Sequence, residues 1–152
     1  MRPILFNNEM VWAILAGRKT QTRRFGTRYG AAPYAVGDRL YVRETWAAVG
    51  DYFDKSMLYI YRADFIDNHN IRWHPSIHMP KDAARIFLEV VNVYPQRLYD
   101  ISEAEATAEG VSPLKGETAR DAFLRLWIDL YGPPKHGSRV WAIEFKVREV
   151  RP

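Results

Sequence analysis

Hydrophobic and polar residues alternate along several segments of this chain, a pattern typical of β-strands with one buried face. The longest segments of this kind are residues 84–98 and 139–150. Shorter strands are predicted at 3–6, 39–46 and 57–63. In the last of the long segments, the alternation directs four side chains inward, namely Trp141, Ile143, Phe145 and Val147.

Start and stop signals along the sequence bound three helices. The first covers residues 7–16 and ends at Gly17, which favours the left-handed conformation of a helix stop. The second begins after Ser102, because Glu105 three residues later completes a capping box. The third begins after Thr118 and directs a set of apolar side chains inward, namely Phe123, Leu126, Trp127 and Leu130.

These helices stand between the strands without alternating regularly with them. Such an order predicts an α+β fold, a small β-barrel of mixed strands with inserted helices. A doubly wound parallel sheet is disfavoured, because the sequence contains no Gly-rich phosphate-binding loop. With 152 residues and no repeat or linker, residues 1–152 are predicted to form one domain.

The composition limits the cellular compartments and the kinds of binding site that the chain is expected to have. The chain has no cysteine, which excludes disulfides and thiolate metal sites. No apolar run approaches the roughly 20 residues needed to span a bilayer, and the apolar start of the chain is too short for a signal peptide. These features predict a cytoplasmic protein with no membrane contact.

The charge is unevenly distributed along the chain. Residues 1–50 hold eight Lys or Arg against three Asp or Glu, whereas residues 51–152 hold fourteen against fifteen. Segment 17–24, GRKTQTRR, concentrates four cations and two hydroxyls at a predicted helix-to-strand turn. Such a site suits phosphate or another anion, and the alternative is a solvated basic turn.

The segment around this turn, residues 15–24, resembles the signature of ASCH domains. Residues 37–42, GDRLYV, the helix at 101–110 and the closing strand at 140–145 complete the likeness. The resemblance covers both ends of the chain and most of the sequence between them. It implies a PUA-like β-barrel, a fold associated with recognition of RNA or nucleosides.

Two longer segments point to a narrower set of relatives. Residues 42–46, VRETW, and 73–80, WHPSIHMP, resemble the ASCH proteins carried by phages and prophages. Compared with the smallest ASCH enzymes, the chain is predicted to carry an insertion around residues 51–82.

The resemblance also implies catalytic residues. Some small ASCH proteins are amidohydrolases that remove acyl groups from the exocyclic amine of cytidine, and another member is a ribonuclease. The amidohydrolases use the lysine and threonine of a G-x-K-x-x-T block and a glutamate from a later helix. These positions correspond here to Lys19, Thr22 and Glu109, with no metal and no cofactor implied.

Amide hydrolysis requires a nucleophile, a base and a group that holds the oxyanion. In this assignment Thr22 attacks, a neutral Lys19 takes its proton, and Glu109 orients the pair or relays protons. A lysine neutral near pH 7 needs its pKa lowered by roughly three units from about 10.4. Burial and neighbouring arginines lower the pKa, whereas a nearby carboxylate raises it.

Further residues are predicted to bind the substrate or nucleic acid. Guanidinium groups suit bidentate contact with phosphate or bases, and an aromatic ring beside them suits stacking. The segment 73–79 is predicted to line the mouth of the barrel, and its histidine is suited to serve as the general base of a ribonuclease. The candidates are Arg18, Arg23, Arg24, Tyr41, Arg43, Trp73, Ser76 and His78.

Three hypotheses follow from the sequence. The first is an ASCH domain that binds RNA or a modified nucleoside in a basic cleft. The second is a metal-independent amidohydrolase acting on acylated cytidine. The third is a ribonuclease, or a phage accessory protein that binds a host protein through the insertion. The sequence leaves the oligomeric state open.

Overall fold

The computed structural model describes residues 1–50, 58–67, 70–135 and 137–152. In these ranges the chain forms seven β-strands and three α-helices. In chain order they are β1 (Arg2–Leu5), α1 (Asn8–Leu15), β2 (Gln21–Arg24), β3 (Arg39–Arg43), β4 (Trp46–Val49), β5 (Leu58–Tyr61), β6 (Ile86–Arg97), α2 (Glu103–Ala108), α3 (Ala119–Tyr131) and β7 (Arg139–Val150).

The described strands form two sheets. Five strands lie in the order β1-β3-β6-β7-β2, and β4 pairs with β5 in a separate two-stranded sheet. β1 is parallel to β3, with Ile4 opposite Val42. β2 is antiparallel to β7, with Thr22 opposite Ile143.

The α+β class is confirmed, but the larger sheet is not closed into a barrel. A barrel requires the two edge strands of a sheet to pair with each other. Among the described residues, edge strand β1 pairs with β3 and edge strand β2 pairs with β7. The sequence could not show this, because alternation along a strand carries no information about which strands meet.

The chain divides into two compact units. The first unit contains Met1–Trp12, Arg39–Leu88 and Val147–Pro152, and the second contains Ala13–Asp38 and Glu89–Lys146. Parts of the predicted insertion, residues 51–57 and 68–69, lie outside the described residues.

The core of the second unit explains how α2 and α3 are held. Phe123 and Trp127 lie one turn apart on α3 and pack with Val140 of β7 and Ala106 of α2. The carboxylate of Glu103 on α2 accepts the Ala119 amide at 2.5 Å, which satisfies a free donor at the start of α3. Apolar packing and this hydrogen bond join the two helices.

The first unit contains a buried ion pair. Arg85 donates two hydrogen bonds to Glu44, at 3.0 and 3.1 Å, and Glu44 is fully buried. Asp64 also accepts from Arg85, at 2.8 Å. Burial raises the pKa of Glu44, and the hydrogen bonds and charge of Arg85 oppose that rise.

The predicted elements are largely present, with local corrections. The strand predicted at 39–46 is broken into β3 and β4 after Arg43. In β7 the prediction is wrong for Val147, which is 40% exposed, and Trp141 is only half-buried. On α3 the prediction is wrong for Leu130, which is 59% exposed. Periodicity identifies which face of an element is buried, but not at which residue the packing against that face ends.

None of the helices in the described ranges has the length and hydropathy required to cross a membrane.

Candidate functional site

Lys19 lies in the turn between α1 and β2, in the second unit. Gly17 adopts a left-handed φ of 77°, and the amides of Arg18 and Lys19 both donate to the Ala13 carbonyl. The helix therefore ends in a tight turn that returns Lys19 toward α2. Its side chain is buried, with the residue only 3% exposed.

The Lys19 amine lies at the open edge of β2. The Thr20 carbonyl accepts from Phe145 of β7, and successive carbonyls along a strand point to opposite edges. The Gln21 carbonyl therefore points away from β7, and it accepts the Lys19 Nζ at 2.8 Å.

Glu109 provides the other partners of this amine. Lys19 Nζ donates to the Glu109 carbonyl at 2.8 Å and to its Oε1 at 3.3 Å. Burial lowers the pKa of Lys19, and the Glu109 carboxylate acts in the opposite direction. Two arginines, Arg24 and Arg23, lower this pKa further by charge repulsion. Lys19 and Glu109, two of the three predicted catalytic residues, are therefore in direct contact.

The buried guanidinium of Arg23 joins Glu105 of α2 to Glu109, the residue that follows the helix. Its Nη1 donates to Glu109 Oε2 and its Nη2 to Glu105 Oε2, each at 2.8 Å. The Arg23 side chain is 0% exposed. Arg23 therefore neutralises carboxylates within the unit, and the structure does not place it on the exposed surface that a phosphate contact requires.

Sequence reasoning missed the polar side chains that complete this network. Tyr94 donates to Glu105 at 2.5 Å, and Gln96 both accepts from Arg23 Nε and donates to Glu105. Tyr94 and Gln96 lie two residues apart and therefore on one face of β6. This spacing is the signal by which the sequence could have indicated them. We call Lys19, Arg23, Tyr94, Gln96, Glu105 and Glu109 the acid–base network.

Two pKa shifts in the network follow from its hydrogen bonds. Partial burial raises the pKa of Glu105, but hydrogen bonds from Tyr94, Ser102 and Gln96 outweigh burial and lower it to about 2. Burial raises the pKa of Tyr94 to about 12, and its bond to Glu105 adds to the rise. Glu105 is thus a carboxylate and Tyr94 a neutral donor at neutral pH.

Thr22 and Arg24 lie on the opposite face of β2 from Arg23, because side chains alternate along a strand. Thr22 is buried, and its hydroxyl accepts from Arg24 Nε at 3.2 Å. Arg24 is half-buried. Arg18 is exposed, and its guanidinium donates to the Gly110 carbonyl at 3.4 Å.

Tyr41 and Arg43 belong to the first unit, where Tyr41 is not available for stacking. Leu40, Tyr41 and Val42 are all buried, so both faces of β3 are covered. Tyr41 packs in a cluster with Ala84 and Phe87. Arg43 is half-buried, donates to the Met79 carbonyl at 3.1 Å and lies over the Tyr41 ring. The expected exposed platform at Tyr41 was wrong.

Trp73, Ser76 and His78 also belong to the first unit. Trp73 is half-buried and its ring lies 5.6 Å from that of Phe65. Ser76 begins and His78 ends a single 3₁₀ turn, in which His78 is exposed. His74 pairs with Trp46 through two backbone hydrogen bonds and a ring contact.

Within the described ranges, no group of three His, Asp or Glu side chains is placed to hold a metal ion.

Comparisons with known proteins concern the fold. No family model and no curated protein matches the sequence. An ASCH domain from Lactobacillus crispatus is structurally similar, with a TM-score of 0.50 and 17% identity over 96% of this chain and 78% of that one. A protein from Enterococcus faecalis of the DUF984 family has a TM-score of 0.51 and 11% identity, over 98% and 76%. The chain therefore has the fold of an ASCH domain, as its sequence resemblance predicted.

Proposed function

We propose that this chain is an amidohydrolase that removes an acyl group from the exocyclic amine of an acylated cytidine. The observation that carries the proposal is the buried Lys19 amine, 3.3 Å from the Glu109 carboxylate and with its pKa lowered by burial. The block 17–24 on this fold also supports membership of the ASCH family. A link to phages remains a prediction.

The environment of Lys19 favours proton transfer over the binding of phosphate. The buried cations Lys19 and Arg23 are each paired with Glu109, and Arg23 is also paired with Glu105. A lysine that binds phosphate works as an exposed, fully charged group, whereas a general base must be able to lose its proton near the working pH. Burial of Lys19 meets the second requirement.

The proposed reaction has two halves. The Thr22 hydroxyl attacks the acyl carbonyl while a neutral Lys19 takes its proton. As the tetrahedral intermediate collapses, Lys19 returns that proton to the departing amine, which leaves the acyl group on Thr22. Water then attacks this ester, Lys19 carries its proton to the Thr22 oxygen, and the carboxylic acid is released.

The neighbouring charges have separate roles in this scheme. Glu109 holds the Lys19 amine in place and stabilises its protonated form within each half, while the tetrahedral intermediate exists. Arg24 donates to the Thr22 hydroxyl at 3.2 Å, which places a cation beside the attacking oxygen as it loses its proton.

The test is conversion of N4-acetylcytidine to cytidine and acetate, followed by chromatography. We expect Lys19→Met and Thr22→Val to lower kcat/KM by about 100-fold or more, because each removes a group required for proton transfer or attack. Thr22→Ser keeps the hydroxyl and should retain more activity than Thr22→Val.

The matched control is Thr20→Val, since Thr20 is exposed two residues away on the same segment. It should leave kcat/KM unchanged. Circular dichroism of every variant shows whether it folds. Full activity in a folded Lys19→Met protein would overturn the proposal.

The pH profile provides a second readout of the same reaction. Lys19 must be neutral in the free enzyme, so kcat/KM should rise with pH and level off above the lowered pKa of Lys19. The inflection should lie below the ordinary lysine value of 10.5. A rate that falls as pH rises from 6 to about 9 would contradict a lysine base.

A second candidate function is binding of RNA or a modified nucleoside without turnover. The exposed guanidinium of Arg18, which is hydrogen bonded to Gly110 beside the network, favours it. Binding of N4-acetylcytidine that persists in a folded Thr22→Val protein, with no product from either protein, would favour this function. The ribonuclease and the host-protein partner remain predictions.

A further inference from the structure

Two adjoining cavities lie on the second unit. One has a volume of about 390 Å³ and is lined by residues that include Gln96, Arg97 and Arg139. The other has a volume of about 440 Å³ and is lined by residues that include Phe25 and Trp141. Both are lined by Pro95 and Arg139, so we describe them together as the Arg139 groove.

The groove combines cations with aromatic rings. Arg97 and Arg139 are exposed, and one acidic residue, Asp100, lines the first cavity with them. In the second cavity Phe25 is 51% exposed, and its ring makes edge contacts with Trp127 and Tyr131 that hold its orientation. Trp141 is held by a hydrogen bond from its indole nitrogen to the Gly30 carbonyl.

This combination matches the chemistry of single-stranded nucleic acid. Exposed guanidiniums contact backbone phosphates, and fixed aromatic rings stack on bases of any sequence. Each cavity falls within the range of about 300–1,000 Å³ that holds a small ligand, so two in series suit more than one nucleotide. An acidic peptide would use the cations but would leave the rings without stacking partners.

The groove adjoins the acid–base network through one side chain. Gln96 lines the first cavity, and it also accepts from Arg23, whose guanidinium contacts Glu109. A strand that lies in the groove therefore runs beside the network that holds Lys19.

We propose that the Arg139 groove binds the single strand flanking the acylated cytidine, so that the substrate is a polynucleotide. This inference rests on the proposed function for the identity of the reacting base. The flanking phosphates contact Arg97 and Arg139, and a neighbouring base stacks on Trp141.

The first measurement is the fluorescence anisotropy of labelled single-stranded oligonucleotides on binding. The oligonucleotides are eight nucleotides long and have the same sequence in an RNA and a DNA version. Arg97→Gln combined with Arg139→Gln should weaken binding by about tenfold at low salt. The slope of log affinity against log salt should fall by about 1.4, because two phosphate contacts are lost. The RNA and DNA arms show which backbone is bound.

The matched control removes two positive charges elsewhere on the second unit. Lys115 and Lys146 are exposed, and neither lines the groove. Lys115→Gln combined with Lys146→Gln should leave the affinity within about twofold. Equal weakening by this control, or unchanged binding in the Arg97 and Arg139 variant, would overturn the groove.

Substitution at Trp141 separates stacking from charge. Trp141→Leu should weaken binding by about tenfold without changing the salt slope, whereas Trp141→Phe should retain most of the affinity. If Trp141→Leu does not fold, Trp141→Phe and the arginine variant still provide the test. If the arginine variant weakens binding and lowers the salt slope while Trp141→Leu leaves the affinity unchanged, the groove binds its ligand through charge alone. That result would indicate an acidic ligand and contradict the assignment.

Turnover distinguishes failure of the groove from failure of the proposed function. The arginine variant should lose kcat/KM on an oligonucleotide containing N4-acetylcytidine and keep its rate on the free nucleoside. Equal loss of kcat/KM on both substrates would contradict the proposed role of the groove in binding the flanking strand. The proposed hydrolysis would still stand. If the unmodified protein hydrolyses neither substrate, the proposed function and the polynucleotide-substrate inference both fail, and the binding measurements decide only whether the groove binds single strands.

Discussion

At the scale of single residues, Gly110 allows Lys19 and α2 to approach closely. Gly110 follows Glu109 with a left-handed φ of 83°, and a Cβ built there would lie 2.7 Å from Lys19 Cβ and 2.8 Å from Ala13 Cβ. Such distances are too short for real atoms. A side chain at this position would therefore displace the turn that carries Lys19.

Gly110→Ala should consequently destabilise the fold by more than backbone strain alone. The control is Gly116→Ala, because Gly116 has nearly the same φ, 81°, with open space where its Cβ would lie. A left-handed alanine costs about 1–2 kcal/mol, and we expect Gly110→Ala to exceed Gly116→Ala by at least about 1 kcal/mol. Urea unfolding of both variants measures the difference, and equal losses would show that the turn accommodates the side chain.

For single residues, the sequence identified members of the candidate site, and the structure showed which of them are in contact. The resemblance identified Lys19 and Glu109, which lie 90 residues apart and are in contact in the structure. Arg23 was predicted to bind phosphate, and the structure instead pairs it with Glu105 and Glu109. A sequence counts charges but does not show which of them meet, so the neutralisation of a basic block by a later helix was beyond its reach.

At the scale of elements, the capping box of α2 was predicted and is confirmed. Ser102 Oγ accepts the Glu105 amide at 3.0 Å, and Glu105 Oε1 accepts the Ser102 amide at 3.0 Å. The same Glu105 carboxylate receives Arg23 and Tyr94. The helix start therefore also orients one acid of the network.

Ser102→Ala should lower the free energy of unfolding by about 1 kcal/mol, the usual contribution of a helix cap. Thr107→Ala is a control within α2, because the Thr107 hydroxyl bonds back to the exposed helix carbonyl of Glu103. Its effect should stay within about 0.5 kcal/mol. Chemical denaturation compares the two, and a larger loss in Thr107→Ala would contradict the importance of the cap.

The sequence predicted the positions of the strands better than it predicted which of their faces are buried. Alternation identified β6 and β7, but Tyr41 of β3, which was predicted to stack on a base, is buried. β3 is covered on both faces, and a strand of this kind loses the polar side that alternation is used to find.

At the scale of the whole molecule, Glu105 makes stability depend on pH in the acid range. Its pKa in the folded protein is about 2, below the ordinary value of 4.5. Folding is therefore favoured by ionised Glu105 above pH 4.5, and that contribution is lost as pH falls from 4.5 toward 2. The network should weaken across this window.

The comparison is between the unmodified protein and Glu105→Gln in urea. The original chain should be more stable at neutral pH, and the gap should narrow as pH falls toward about 3. Tyr94→Phe removes one of the hydrogen bonds that lower the pKa of Glu105, so the contribution of Glu105 should be smaller and its loss should be complete at a higher pH. A gap that widens on acidification would contradict the prediction.

The sequence by itself determined the α+β class, the bounds of most helices and strands, the caps, and the helix-to-strand turn that holds Lys19. These features depend on residues a few positions apart, where spacing and backbone preference decide the outcome. Tertiary structure alone decided that the larger sheet stays open, that Lys19 and Arg23 are buried against α2, and that Gln96 joins the network to the groove. Each of these depends on segments distant in the chain packing together, and burial then changes the pKa and the chemistry of the side chains between them.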